Sequence, residues 1–270
     1  MFYFLMKAIT AYNWILILAA VIPAVVLMVK VYQSDHIEKE STAMLWRLVK
    51  AGILSALLAL VEETVGQAIL VRFIPQDDKR FDIIMFFVVV AISEESSKYI
   101  FMKRESWKDP EYNCLYDGVV YAVFTSLGFA LWENIQYVLS YGFATALVRA
   151  VTAIPGHASF GVFMGVFYGL AKKSDVAGEK GKCVLFKVLA LLAPILMHGS
   201  YDYLTTRSED LGEAPFLIFV ACLFVVAFLL VHFMSKNDRY LTGPNAGNRG
   251  SVLPRADNVV WTDKDHSDPQ

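Results

Sequence analysis

Long, nearly unbroken apolar runs are the feature that most constrains this chain. They lie near residues 11–31, 51–70, 81–101, 116–140, 146–171, 184–204 and 214–234. Each is roughly 20 residues, the length at which an α-helix crosses a hydrocarbon core of about 30 Å. Inside a bilayer no water satisfies backbone amides and carbonyls, so a spanning segment must be a helix or part of a closed barrel. Continuous rather than alternating apolar pattern selects helices. The expectation is an all-α, polytopic integral membrane bundle of about seven transmembrane helices. A hydrophobic fraction of 56% and a mean hydropathy of +0.48 exclude an ordinary soluble domain.

The first run is too long for a signal-peptide core and no small-x-small cleavage site follows it, so it reads as a retained helix. Lys and Arg gather in the first, third and fifth loops and after the last run. By the positive-inside rule this predicts a multi-pass cell-membrane protein with its N-terminus outside and its C-terminus in the cytoplasm. Composition changes after residue 235. The expected organisation is a transmembrane domain over 1–235 and a disordered cytoplasmic tail over 236–270, rich in Asn, Asp, Gly and Pro. No basic stripe suggests nucleic acid. The three cysteines, Cys114, Cys183 and Cys222, form no CxxC pair and support neither a disulfide framework nor a thiolate metal site.

The oily runs carry charges that cost about 2.5–3.5 kcal/mol each near a bilayer centre. The second holds Glu62, Glu63 and Gln67; the third Glu94, Glu95 and Lys98; the fourth Glu133, Asn134 and Gln136. The fifth has Arg149 at its mouth and His157 inside, and the sixth has His198 and Asp202. Of five histidines, His157 and His198 alone share runs with these clusters. Imidazole with carboxylate can bind zinc or form a general acid–base set. Spacing adds detail: His198 and Asp202, like Glu94 and Lys98, are four apart and share a helix face. Glu94 and Glu95 point about 100° apart on a helix, so one can face a cavity while the other is held by neighbours. Plainer readings also exist. Glu94 and Glu95 could form an intramembrane ion pair with Lys98. The histidines could be hydrogen-bonded core residues, Glu133 could join helices, and Arg149 could meet lipid headgroups. At about 1.5 Å per residue, Glu133 and His198 fall in the outer half of the bilayer, His157 deeper and Glu94 deeper still. That last depth fits a shared site only if the third helix is kinked or shifted.

The ordered series "EESSK" at 94–98, "GFALWEN" at 128–134, "HASFG" at 157–161 and "HGSYDY" at 198–203 resembles the PrsW family of intramembrane proteases, over about residues 90–205. The resemblance implies a multi-span membrane peptidase, classed as metal-dependent, that clips membrane-anchored anti-sigma factors near the outer face of the membrane. Its partners would be a single-span membrane protein substrate and the lipid bilayer. A more distant likeness is to the CAAX prenyl-proteases. Here, however, Glu133 stands where those enzymes have histidine, and Lys98 is one residue earlier than their arginine. Both departures favour the PrsW likeness.

Hydrolysis in a bilayer needs water, a base and oxyanion stabilisation. Glu94, Glu95, His157 and His198 are the candidate catalytic residues. Glu94 is assigned as base, with Glu95 supporting it or taking that role. His157, His198 and Glu133 either hold a zinc ion or orient the oxyanion directly. Asp202 orients His198, and Lys98 and Asn134 support the set. The principal rival is a proton- or ion-coupled transporter, which also places ionisable groups in membrane helices. Against it, no inverted repeat is visible, and Pro23, Pro155 and Pro194 interrupt the runs asymmetrically.

Overall fold

A computed structural model describes residues 2–244, with side chains described from residue 12 onward. The described chain is helical: α1 (Phe2–Gln33), α2 (Thr42–Phe73), α3 (Lys79–Ile84), a π-helical segment (Met85–Val90), α4 (Ala91–Ser106), α5 (Asp117–Tyr141), α6 (Phe143–Val151), α7 (Ala153–Val176), α8 (Lys180–Thr206), α9 (Ser208–Leu211) and α10 (Ala214–Lys236). Large apolar side chains stand exposed on the outer helices. On α1 they recur every four residues at Trp14, Leu18, Ile22 and Val26. Such a stripe would be untenable in water and is what lipid covers.

Six helices among the described residues are long and apolar enough to cross a membrane: Tyr12–Gln33, Thr42–Phe73, Asp117–Tyr141, Phe143–Val176, Lys180–Thr206 and Ala214–Lys236. The sequence predicts about seven, and the difference is the run at 81–101. It is helical without a break from Lys79 to Ser106, but α4 carries too much charge to qualify by hydropathy. Its Glu94, Glu95 and Lys98 are buried against the bundle, so protein rather than lipid is their solvent.

At the centre is α5, packed against α1, α2 and α7, while α7 also packs on α8. Absent side chains make these close crossings. A Cβ on Gly52 of α2 would lie 2.1 Å from the Thr125 carbonyl oxygen on α5, and one on Gly128 would lie 2.4 Å from that of Val49. On the other face of α5, a Cβ on Gly165 of α7 would sit 2.5 Å from Val119 Cα. Lipid tails are as apolar as Leu, so van der Waals contact between backbones, rather than a hydrophobic drive, joins these helices.

Helix ends are capped outside the core. The Ser41 hydroxyl accepts from the Met44 amide to begin α2, and Ser41 itself donates through its amide and hydroxyl to Glu111 at 2.9 and 2.7 Å. Gly142, with φ of 86°, makes the bend between α5 and α6 that an L side chain would resist. Beyond residue 236 the chain is first held down. The Leu241 amide donates to the Asn113 carbonyl at 2.8 Å, the Leu115 amide to the Arg239 carbonyl at 3.1 Å, and Leu241 is buried. Residues 237–244 of the expected tail thus contact the bundle, and residues 245–270 of it lie outside the described residues.

Candidate active site

The site forms where α4, α5, α7 and α8 meet, and the π-helical segment before α4 helps to place it. A π turn inserts one residue into the helical repeat and rotates everything after it. This irregularity precedes the paired glutamates in the third run, where sequence depth alone sets Glu94 away from the histidines. In the structure Glu94, Glu95, Lys98, His157 and His198 come together, all buried.

Lys98 is the hub. Its Nζ donates to Glu95 Oε1 at 2.7 Å and Glu94 Oε2 at 3.0 Å, lies 3.3 Å from His157 Nδ1, and sits 4.0 Å from the Phe129 ring centroid. An ammonium has only donors, so His157 Nδ1 acts as acceptor and its Nε2 carries the hydrogen. That nitrogen meets Glu133 Oε2 at 2.7 Å. Glu133 Oε2 also lies 3.1 Å from Arg149 Nη2 as an ion pair, without the alignment of a hydrogen bond. Arg149 Nε donates to Asn134 Oδ1 at 2.8 Å, and Asn134 Nδ2 donates to the Ala20 carbonyl at 2.8 Å. One chain of contacts thus ties α1, α5, α6 and α7 to the imidazole of His157.

His198 is held from both sides. Its Nδ1 is 2.8 Å from Glu95 Oε1, and its Nε2 is 3.3 Å from Asp202 Oδ2. The Nδ1 contact is a hydrogen bond, whereas the Nε2 contact lies at ion-pair range without hydrogen-bond alignment. The Phe160 ring stacks on it at 4.8 Å between centroids and 18° between planes, and the His157 ring stands 5.5 Å away, nearly perpendicular. Consecutive glutamates separate as the helical geometry requires. Glu94 lines a cavity of about 760 Å³, together with Glu63, Glu133, Arg149, His157, His198 and Asp202. Glu95 is fully buried behind it, with one oxygen on Lys98 and His198 and Oε2 unpartnered. The cavity's size is that of a ligand site.

Sequence and structure differ over a metal centre. The set expected to hold an ion was Glu133, His157 and His198. Among the described residues, the set whose donor atoms all lie within 4.8 Å of one another is Glu94, Glu95 and His157. Two carboxylates and an imidazole suit a divalent cation by type and spacing. The Lys98 ammonium already lies among these donors, so an ion can fill that position only if the lysine swings aside.

Two further groups matter that spacing did not single out. Arg149, weighed as a headgroup contact, instead neutralises Glu133. Glu63 lines the cavity, while its neighbour Glu62 accepts from Ser97 at 3.1 Å. Arg149 sits at the start of the fifth run, and its charge so close to membrane depth was the available signal; its partner 16 residues earlier was not.

Comparison with known proteins establishes the family. The model of the PrsW family intramembrane metalloprotease matches residues 40–231. The chain belongs to the PrsW family. Protease PrsW of Oceanobacillus iheyensis is 33% identical over 204 residues, covering 74% of this chain and 88% of that protein. Protease PrsW of Bacillus subtilis is 29% identical over 213 residues, 76% and 90% of the two chains, and that of Clostridioides difficile is 31% identical over 194 residues, 70% and 78%. No solved structure matches. The protein is a multi-pass, membrane-embedded peptidase, and the transporter reading falls away.

Proposed function

We propose that this PrsW-family peptidase cleaves a single-span membrane protein, an anti-sigma factor being the implied class, with Glu94 as general base. The observation that carries this reading is the division of labour within the glutamate pair. Glu94 opens onto the cavity shared with His157, His198 and Glu133, while Glu95 is turned inward onto Lys98 and His198.

In this reading a water in the cavity gives its proton to Glu94 as it attacks the scissile carbonyl, and Glu94 returns that proton to the leaving amine. Glu95 positions Lys98 and His198. The His198 ring, held by Glu95 and Asp202, presents positive charge to the developing oxyanion, and His157 is kept in one tautomer by Lys98 and Glu133. Were a divalent ion such as zinc bound, Glu94, Glu95 and His157 would hold it, and it would supply Lewis acidity toward carbonyl and water. The loop distribution of Lys and Arg supports an outside N-terminus and a cytoplasmic C-terminus.

The test is cleavage of a single-span reporter by purified protein in detergent, with bound metal measured in parallel. Glu94→Gln should lower the rate about 10²- to 10⁴-fold, and His198→Ala should also abolish most turnover, with both proteins still folded. Normal cleavage by both would overturn the assignment. Stoichiometric zinc in the wild type that is lost on His157→Ala would assign the metal-dependent form. Full activity in metal-free protein would assign the glutamate-only form.

A further inference from the structure

A second cleft lies away from the catalytic cavity. Helices α1 and α10 both rest on α7 and leave between them a cleft of about 430 Å³. Its walls are helical stripes. On α10 it takes Phe224, Ala227, Phe228 and Val231, spaced three, four and seven apart, and its floor is the face of α7 that includes Ala158. Small side chains at Ala158 and Ala227 create the space. At one end the lining changes character, to Lys30, His36 and His232. Lys30 is exposed and stands in the last turn of α1. It joins none of the ion pairs among the described residues.

We propose that this cleft binds one anionic phospholipid, its phosphate at Lys30 and His232 and an acyl chain along α7. Three observations select this occupant. The α10 wall from Phe224 to the end of the cleft at Ser235 spans 11 residue steps, about 16 Å of helix rise, which matches the roughly 15 Å depth of one leaflet's hydrocarbon. A transmembrane helix about 10 Å wide would need roughly 1,200 Å³ over that depth, far more than the cleft provides. The cationic groups sit at the end where α1 and α10 terminate, the level at which an anionic headgroup lies. The floor residue Ala158 directly follows His157, so the lipid shores up the helix that presents the imidazole to the active site. The inference does not rest on the peptidase mechanism.

Full-length protein would be purified in detergent, delipidated, and titrated with dioleoylphosphatidylglycerol or dioleoylphosphatidylcholine. Native mass spectrometry counts the bound lipid, and thermal unfolding reads its effect. The expected result is one retained phosphatidylglycerol that raises Tm more than phosphatidylcholine does. Lys30→Ala should reduce the preference about five-fold, Lys30→Arg should keep it, and Ala227→Phe should remove binding of both lipids. Equal retention of the two lipids by the wild type, or an unchanged preference in Lys30→Ala, would overturn the proposal. So would a photo-crosslinker at Phe228 that captured a single-span substrate and no lipid.

Discussion

Lys98→Met is the most informative single change, because three partners depend on one ammonium. Lys98 Nζ stands 2.7 Å from Glu95 and 3.0 Å from Glu94, and these side chains are at most 8% exposed. At an effective dielectric of about 20, each contact represents about 6 kcal/mol of gross attraction. Desolvation of the ions cancels most of that, so the pairs add little net stability. Removing the lysine alone is different: it leaves two adjacent buried carboxylates with only His198 beside them, at a cost of about 3–5 kcal/mol. Glu95→Gln removes one of those charges in advance. The double variant Lys98→Met, Glu95→Gln should therefore lose less than the sum of the single losses, with a coupling of about 2 kcal/mol or more. The assay is unfolding of the four proteins in one detergent, by guanidinium or heat. Additivity within about 0.5 kcal/mol would refute the claim that Lys98 is the counter-ion of the glutamate pair. Zinc added to Lys98→Met extends the test. The ion then has no ammonium to displace, and saturation at 100 times its Kd would return about 2.7 kcal/mol.

Three further outcomes follow from other parts of the molecule. In the loop after α1, burial pushes the Asp35 carboxyl up to about 7 from 3.8, with repulsion from Asp238 adding and Lys39 opposing. The folded state thus holds this proton more tightly than the unfolded chain, and stability falls as pH rises from about 4 through 7; the part lost between pH 5.5 and 8 is about 2 kcal/mol. Asp35→Asn should raise Tm more at pH 8 than at pH 5.5, and an equal change at both would contradict it. Gly52→Ala drives a methyl against the Thr125 carbonyl and should cost about 1–3 kcal/mol in thermal unfolding, despite the better helix propensity of Ala. Arg149→Met strips Glu133 of its guanidinium and should lower kcat about 10- to 100-fold with KM little changed. Partial rescue by Arg149→Lys would separate this positioning role from a merely structural one.

Much of the fold was legible in the sequence because it rests on local physics. An apolar run of about 20 residues has one way to satisfy its backbone in lipid when it cannot close a barrel, so helix positions could be read directly. The four polar motifs were legible for a related reason: charge at membrane depth is costly and so marks a site. The third run misled a simple count, because its charges face protein rather than lipid. By residue chemistry Glu133, His157 and His198 were the candidates either to hold zinc or to orient the oxyanion, whereas the structure converges the donor atoms of Glu94, Glu95 and His157.

What the sequence determined by itself was therefore an all-helical membrane bundle and the roster of polar groups within it. Only the tertiary structure decided where each group sits and what it touches. Glu94 and Glu95 are chemically identical neighbours, and nothing local distinguishes them. It is the packing of α4 against α2, α5 and α8, after a π turn that rotates the helix, that opens one to the cavity and seals the other against Lys98 and His198. Arg149 likewise found its partner through the bend at Gly142 that folds α6 back beside α5. Such pairings depend on rotation and register between helices, which come from backbone contact at glycines far along the chain, not from the residues that carry the charge.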